Sequence, residues 1–558
     1  MPSKRATASH AEYTFVNVDL ASTERPRRTT QARAHTARVI RQRQTRDPST
    51  QHATNARPAN AVVPEMADKT ASTSSARILA PAIISSTQSS QSPPITQEDG
   101  RSDESPENQH LAQKLPSPRP LSPVFGALTV DAFDAGTSGA AVEAADYCLN
   151  IDWPNLLTPE ETAVWFQLFC KQPVIFHGFN YASATHGDIL RNQVSRSSRR
   201  DMLAHKTQCF HLLRDLVANL DDDNVELVLF AVMIMWHYDL RDEEIGDTGS
   251  LPFVPHLPGA NWLSVYGRTT GVEAHTRPLM NLLDRAGGIG NLKQPGLAFA
   301  ISCGDLIAAS IANDKPGLPL FWKDAPPVEE AANMLHMPPP TSCVGYGFAT
   351  LVPGGLPAVA VYALSEMCAV DALLGNARLR CLKIRQNKVL VDVRNAAQYR
   401  LLSLPSWDEL REDDRTGRSR TAYELCILTA VLYSNAVIFP LPLNTGWHRK
   451  LITRIRDTIE HLALSSSSSD SSMLIWSLFI GGVAAYRSHD RAWFEMNLQA
   501  ALARARIYRW NDAEMLLTAF MWSRVACSMG AAVLWDALDT EDKSRSTSVV
   551  AIRSQIAL

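Results

Sequence analysis

The amino-terminal quarter of this 558-residue sequence contains no cysteine. All nine cysteines lie further along the chain, are well separated and form no CxxC pair: Cys148, Cys170, Cys209, Cys303, Cys343, Cys368, Cys381, Cys426 and Cys527. Tetrahedral zinc needs clustered ligands at short spacing, whereas isolated cysteines among apolar residues usually behave as small buried hydrophobes in a reducing compartment. We therefore expect no disulfide, no metal site and no cofactor.

Long, uninterrupted apolar runs are also missing. No apolar stretch follows the first charges, Lys4 and Arg5, so a secretory signal is not expected. A mitochondrial transit peptide is an alternative, because the stretch over 25–46 is Arg-rich. Glu12, Asp19 and Glu24 argue against it. The longest apolar run, from Tyr423 to Phe439, is broken by polar residues and falls short of the ~20 clean residues of a membrane span. It predicts a buried helix, and we expect no membrane partner.

Residues 1–140 have little apolar periodicity and are rich in Ser, Thr, Gln, Ala, Pro and Arg. Such a segment buries too little apolar surface to offset the entropy lost on ordering it. We therefore predict a disordered arm over 1–140. It has a basic part over 1–46 and a Ser/Pro-rich part over 85–123, where four Ser-Pro pairs favour extended backbone.

The basic part of the arm supplies the candidate functional residues, although the net charge of the whole chain is only −3. Arginine clusters on a mobile segment can serve as a nuclear import signal or neutralise phosphates. A solvated basic tail without either role is the simpler alternative. The candidates for nuclear import or nucleic-acid contact are Arg25, Arg27, Arg28, Arg33, Arg38, Arg41, Arg43 and Arg46.

Residues 141–558 predict an all-α, multi-helix domain, because apolar residues recur there at helical spacing between Gly, Pro, Asp and Ser breaks. An amphipathic helix is predicted from Leu203 to Leu216, and an almost wholly apolar, buried helix from Val225 to Trp236. A further helix from His275 to Ala286 should end at Gly287-Gly288. The single stripe formed by Leu451, Ile455, Ile459 and Leu462 indicates another helix.

The carboxy-terminal block predicts three short helices, over 474–486, 493–505 and 516–525. The first contains Gly481-Gly482, and each glycine inside a helix costs about 1 kcal/mol relative to Ala. We therefore expect this pair to serve a close approach between helices or a helix break. Trp493 and Phe494 are the candidate neighbours.

Three stretches resemble the fungal-specific transcription factor domain family. The strongest is Met473-Leu-Ile-Trp-Ser-Leu-Phe-Ile-Gly-Gly-Val-Ala-Ala, followed by Arg491-Ala-Trp-Phe, Trp510 and Leu517-Thr-Ala-Phe-Met-Trp. A second, Ser122-Pro-Val-Phe-Gly-Ala-Leu-Thr-Val-Asp-Ala-Phe, departs from the family's Asp-Pro-Phe at Ala132. The third is Phe15-Val-Asn-Val with the basic stretch from Arg33 to Arg43.

The resemblance implies a helical regulatory domain that acts in the nucleus without catalysis. The family's binuclear zinc cluster needs six cysteines, and none precedes Cys148, so the resemblance is to the subgroup that lacks this module. The implied partners are the transcription machinery or other regulators and DNA, bound weakly through the basic arm; a homodimer is left open. The alternative is a helical scaffold or ligand-sensing protein of the same family without direct DNA binding.

A helical enzyme resembling the terpene cyclases is a third and weaker hypothesis. The stretch from Asp222 to Glu226 matches the DDxxE pattern, but it opens an apolar helix and no second metal motif accompanies it. Acids at this position more often cap a helix. His237 beside Asp239 is more often a packed histidine than a catalytic one, and Gly287 to Gly290 follows a helix, which argues against a dinucleotide site.

Four tryptophans of the carboxy-terminal block, Trp476, Trp493, Trp510 and Trp522, could line a ligand cavity. We expect them to pack in the core instead.

Overall fold

The computed structural model describes residues 139–191, 196–238, 251–268, 273–340, 345–351, 356–378, 384–443, 446–464 and 471–538. All of them belong to the unit Arg119–Leu558. The predicted disordered arm, its basic and Ser/Pro-rich parts and all eight candidate arginines lie outside the described residues, apart from residues 139 and 140 at its end.

Helices are the only regular secondary structure in these ranges, so the all-α prediction is confirmed. The helices of seven or more residues are α1 Gly139–Tyr147, α2 Pro159–Lys171, α3 Pro173–Arg191, α4 Arg196–Ala218, α5 Val225–Tyr238, α6 Glu273–Arg285, α7 Leu297–Ala312, α8 Val328–Met334, α9 Ala358–Arg378, α10 Ile384–Leu402, α11 Arg420–Tyr433, α12 Trp447–Leu464, α13 Ser471–Ala484, α14 Arg491–Ala505, α15 Trp510–Thr518 and α16 524–538. Shorter turns of helix join several of them.

The first group of helices is built around α3 and α5. Helix α3 packs against α1, α2, α4 and α5, and α5 packs in addition against α6 and α7. Helix α2 begins with a capping box, in which the Thr158 hydroxyl accepts from the Glu161 N–H and the Glu161 carboxylate accepts from the Thr158 N–H. The predicted buried helix over 225–236 is confirmed, since it is apolar on every side and enclosed by its neighbours.

The second group of helices surrounds α11. This helix continues without a break into a π-helical turn, Ser434–Ile438, and packs against α12 and α13. Ala358–Arg378 and Arg420–Ile438 are each long and apolar enough to cross a membrane by length and composition. In the second of them, 83% of the apolar window is buried inside the protein, as in a core helix. The prediction of a buried helix over 423–439 is thus confirmed.

Most of the other predicted helices are also present. The stripe from Leu451 to Leu462 is buried in α12. Helix α6 ends at Arg285 and is closed by Gly287 and Gly288, both with positive φ. The Gly288 N–H donates to the Leu283 carbonyl. In α4 the predicted amphipathic face is present, but Leu203, the first residue of the predicted apolar stripe, is exposed.

The prediction of one helix over 516–525 is wrong. Helix α15 ends at Thr518, and α16 begins at residue 524. The connecting backbone is held by tertiary hydrogen bonds: Trp476 Nε1 donates to the Met521 carbonyl over 3.0 Å, and the Ser523 N–H donates to the Tyr433 hydroxyl over 3.0 Å. These long-range partners replace the helical bonds that local spacing had suggested.

The glycine pair in α13 marks a close approach to α14, as expected. A Cβ added at Gly481 would lie 2.3 Å from Cε1 of Phe494, whereas one at Gly482 would meet the flexible Leu534 side chain at 3.0 Å. Gly481 is therefore the residue that lets the Phe494 ring rest on the α13 backbone.

We predict that Gly481→Ala lowers the free energy of unfolding by about 1–3 kcal/mol, because a buried ring or the α13 backbone must shift to admit the methyl group. Chemical denaturation followed by circular dichroism measures the change. The matched control is Gly290→Ala, where an added Cβ has no heavy atom within 4 Å. Equal midpoints for the two variants would contradict the close-approach interpretation.

Candidate functional site

A cavity among the described residues lies between α2, α3, α5, α7 and α10. It has about 40 Å³ of space for the centres of water-sized molecules, enough for about three waters or one small ligand at roughly 10–15 Å³ per water. Its wall is mostly apolar and aromatic, with Trp165, Phe179, Phe299 and Phe439 among the lining residues.

One polar part of the wall is centred on Asp152, which is buried at the end of the π-helical turn Cys148–Asp152. The Tyr266 hydroxyl donates to Asp152 Oδ1 over 3.2 Å, and the hydroxyl groups of Tyr238 and Tyr266 are 2.9 Å apart. His186 Nδ1 is 3.4 Å from the same carboxylate oxygen. Burial, followed by the nearby Asp152 charge, raises the pKa of both tyrosines well above the ordinary value, so both remain neutral donors near pH 7.

Arg394 of α10 lies behind two further lining residues and is fully buried. Its guanidinium donates to Asn395 Oδ1 over 3.0 Å and to Asn261 Oδ1 over 3.1 Å, and it lies 5.2 Å from the centre of the Phe439 ring. Within the described ranges no carboxylate is within ion-pair distance of Arg394. Burial lowers its pKa to about 10, so the group still carries its charge at neutral pH.

The two amides bound by Arg394 also line the cavity. Because their oxygens accept from the guanidinium, their NH₂ groups are available on the other side. Asn395 Nδ2 has only a weak contact, 4.0 Å from Cys303 Sγ, and Asn261 Nδ2 is buried without a hydrogen-bond partner. Asn261 also has a left-handed backbone, with φ of 56°, which asparagine tolerates better than most residues.

Trp153 supplies a further donor to this wall. Its side chain is 1% exposed, lines the cavity and packs edge-on against Trp165 and Phe179. Its Nε1 has no hydrogen-bond partner among the described residues. The turn that carries it, Trp153–Asn155, contacts the turn Ala260–Trp262, which carries Asn261. Two unsatisfied N–H donors thus belong to adjacent turns of the wall.

A second buried polar cluster links His256, in the loop before the turn Ala260–Trp262, to Asp371 of α9 and Tyr433 of α11. His256 Nε2 is 2.8 Å from Asp371 Oδ1, and the Tyr433 hydroxyl donates to Asp371 Oδ2 over 2.9 Å. The same Tyr433 hydroxyl accepts a hydrogen bond from the N–H of Ser523, the last residue of the segment that connects α15 to α16. This cluster does not line the cavity, and its geometry indicates a structural role.

The acidic stretch from Asp222 to Glu226 is not assembled into a metal site. Asp221 Oδ1 accepts from the N–H groups of Asp223 and Asn224 over 3.1 and 2.9 Å, which fixes the turn before α5. The Glu226 carboxylate accepts from the Lys293 and Gln294 N–H groups. No group of three His, Cys, Asp or Glu side chains in the described part of the chain could hold a metal ion.

The four tryptophans of the carboxy-terminal block pack in the second helix group, as predicted. Trp476 stacks on Phe520 with 5.5 Å between ring centres, and Trp510 and Trp522 lie beside Phe479. Trp493 contacts Phe494 edge-on. None of the four lines the cavity. The cavity is instead lined by Trp153 and Trp165, which were not among the predicted candidates.

His237 is a packed histidine, as expected, and it too lines the cavity. Its Nε2 lies 3.3 Å from the Ala300 carbonyl. Burial lowers its pKa to about 4, an effect only partly offset by that carbonyl and by Asp152. The ring is therefore neutral at pH 7. Asp239, its proposed partner, lies outside the described residues.

One comparison with known proteins finds a match, to a family model that covers part of the chain. Residues 360–517 match the family model described as the fungal specific transcription factor domain. The match begins in α9 and ends in α15, and it includes Arg394 and the Gly481-Gly482 pair. The stretches around Ser122 and Phe15 that also resemble this family lie outside it. No curated protein and no solved structure matches the chain.

We predict that His237 makes the protein less stable as the pH falls from about 6.5 to about 4. In this window the unfolded chain binds a proton at His237 that the folded chain does not bind, so the free energy of unfolding decreases by about 3 kcal/mol at most. His237→Gln keeps a neutral donor and should lose this part of the pH dependence.

The measurement is urea denaturation at a series of pH values. His489→Gln, which removes an exposed histidine, is the control. If the His237→Gln protein shows the same pH dependence as the control, His237 is not the group responsible.

We also predict that Asp371→Ala lowers the free energy of unfolding by about 3–5 kcal/mol, because His256 and Tyr433 would both lose a buried acceptor. Asp408→Ala removes a carboxylate of which 72% is exposed, in an ion pair with Arg420, and should change little. Thermal denaturation of both variants checks the difference, and similar melting temperatures would argue against a structural role of the cluster.

Proposed function

We propose, from the premise that residues 360–517 are a fungal specific transcription factor domain, that this protein is a transcription regulator that acts in the nucleus. The family match is the observation that carries the proposal. Domains of this family are associated with transcription regulation and are typically non-enzymatic. The protein then works by presenting a helical regulatory domain, without catalysis and without a zinc-cluster module.

The proposed partners follow from the same premise. The transcription machinery or other regulators would bind the helical domain, and the arginines over 25–46 would direct nuclear import or contact DNA weakly. A second copy of the chain remains a candidate partner. The decisive experiment is chromatin occupancy of the tagged protein: enrichment at specific loci supports the proposal, and a uniform, background-level signal would overturn it.

A helical scaffold or ligand-sensing protein is the second candidate function. The cavity favours the ligand-sensing form, because an apolar cavity with a few converging polar groups is the usual form of a small-molecule site. Nuclear localisation together with chromatin occupancy separates the regulator from a scaffold that works elsewhere in the cell.

We predict that replacing Arg38, Arg41 and Arg43 together by Ala reduces nuclear accumulation, because import receptors recognise clustered positive charge. Quantitative imaging of the tagged protein is the measurement. The matched control removes three exposed arginines of the described domain, Arg504, Arg509 and Arg524.

The control should accumulate in the nucleus like the wild type. If the first variant does so as well, these three arginines have no role in import.

DNA contact by the arm should weaken steeply with salt, because neutralising phosphates releases counterions.

A further inference from the structure

We propose that the cavity binds a small, mostly apolar organic molecule that carries one oxygen acceptor, a carboxylate or a carbonyl. The acceptor would be held by the N–H donors of Asn261 and Trp153. The inference deepens the ligand-sensing alternative, but it requires only binding, so it can fail or succeed independently of any role in transcription.

Asn261 and Trp153 carry unsatisfied N–H donors. A buried N–H without a partner has lost its bonds to water without replacing them, and such groups in a native structure call for an explanation. Asn261 is 4% exposed and Trp153 is 1% exposed, and both line the same cavity from adjacent turns. A ligand oxygen has two lone-pair directions and can accept from both.

Arg394 fixes the orientation of both amides. Its guanidinium donates to Oδ1 of Asn261 and of Asn395, so neither amide can turn its oxygen toward the cavity without losing a bond to a buried charge. This part of the wall is therefore restricted to donation. A ligand that offers only donors, such as an ammonium, is disfavoured there.

Charge and shape restrict the ligand further. The Arg394 charge has no ion-pair partner in the described ranges, which favours a polarised acceptor near the two amides. The Asp152 carboxylate lines the same cavity and opposes a full negative charge, so a carbonyl and a carboxylate have to be compared. The remaining wall is aromatic, with Trp165, Phe179 and Phe299 among its members. These rings suit a flat apolar body. The cavity holds about three waters, so the whole ligand is limited to roughly four non-hydrogen atoms.

The experiment is isothermal titration calorimetry on the purified full chain with acetate, acetone and isobutene, three flat molecules of similar size. Acetate supplies a carboxylate, acetone a carbonyl and isobutene neither. We expect at least one of the first two to bind at least tenfold more tightly than isobutene. The stronger of them identifies the charged or the neutral acceptor. Equal binding of all three, or no binding of any, would overturn the proposal.

Two near-isosteric variants test the donors. Asn261→Asp keeps the acceptor for Arg394 and tolerates the left-handed backbone, but it places an oxygen where the donor was. Trp153→Phe keeps an aromatic ring and removes Nε1–H. Each variant should weaken binding of the preferred probe at least tenfold. The matched control is Trp322→Phe, which removes another buried Nε1 without a partner from a residue that does not line the cavity.

Thermal melting of each variant without probe separates loss of binding from loss of folding. If a variant fails to fold, Ala300→Val supplies the alternative, since Ala300 lines the cavity and the added methyl groups reduce its volume. Weaker binding by Ala300→Val with unchanged binding by Trp322→Phe supports the cavity as the site. Unchanged binding by all folded variants of cavity residues places the probe elsewhere and overturns the proposal.

Discussion

The rest of the structure depends on the enclosure of three mostly apolar helices, α5, α11 and α13. The charged pair Arg420 and Glu424 faces solvent in the first turns of α11, but from Leu428 onward every residue of that helix is buried. A helix without a polar face has no side that can face water, so it is stable only when other helices enclose it. Helix α5 is enclosed by α3, α4, α6 and α7, while α11 and α13 pack on each other and on α12. The amphipathic helices α4 and α12 supply the outer layer, because each has one apolar stripe to turn inward and one polar face to expose. The two helix groups follow from the need to cover these central helices.

Enclosure on all sides brings backbones close together, and glycine is placed where aromatic rings leave no room for a side chain. A Cβ at Gly304 of α7 would lie 2.2 Å from the Trp236 ring of α5, just as one at Gly481 would meet Phe494. Each glycine lowers the helix propensity of its segment. This loss is offset by the burial of a large ring against the neighbouring backbone. Helices α5 and α7 also form part of the cavity wall, at His237, which a Cβ at Gly304 would likewise meet, and at Ala300, one turn before Gly304. Close packing and open space are therefore neighbours at the contact between α5 and α7.

The helices could be predicted from the sequence because their signal is local. The stripe of α12 and the glycine stop of α6 depend on residues within a few turns of each other. The segment from Ala519 to Ser523 could not be predicted in this way, since its hydrogen-bond partners, Trp476 and Tyr433, are distant in sequence. The candidate site was missed for the same reason. Arg394 did carry a usable signal: it follows buried Leu390 by four residues and precedes buried Ala397 by three, so helical spacing places it on the buried face of α10. Asn261 carried none, because its partner lies 133 residues further along the chain.

The buried guanidinium of Arg394 is difficult to explain by stability alone. Replacing a buried charge and its partners with well-packed apolar residues is often neutral or stabilising, so the charge has to be understood by what it arranges. It holds the amide oxygens of Asn261 and Asn395, two residues that line one cavity, and so leaves their amide nitrogens free to donate elsewhere. Arg394, Asn395 and Phe439 lie within the stretch 360–517 that matches the transcription factor domain, whereas Trp153 and Asn261 precede it. A molecule bound in the cavity would touch both parts at once, and its binding energy would depend on how they are placed relative to each other. That dependence is the physical requirement for a ligand to bias the placement of two packed parts of a protein.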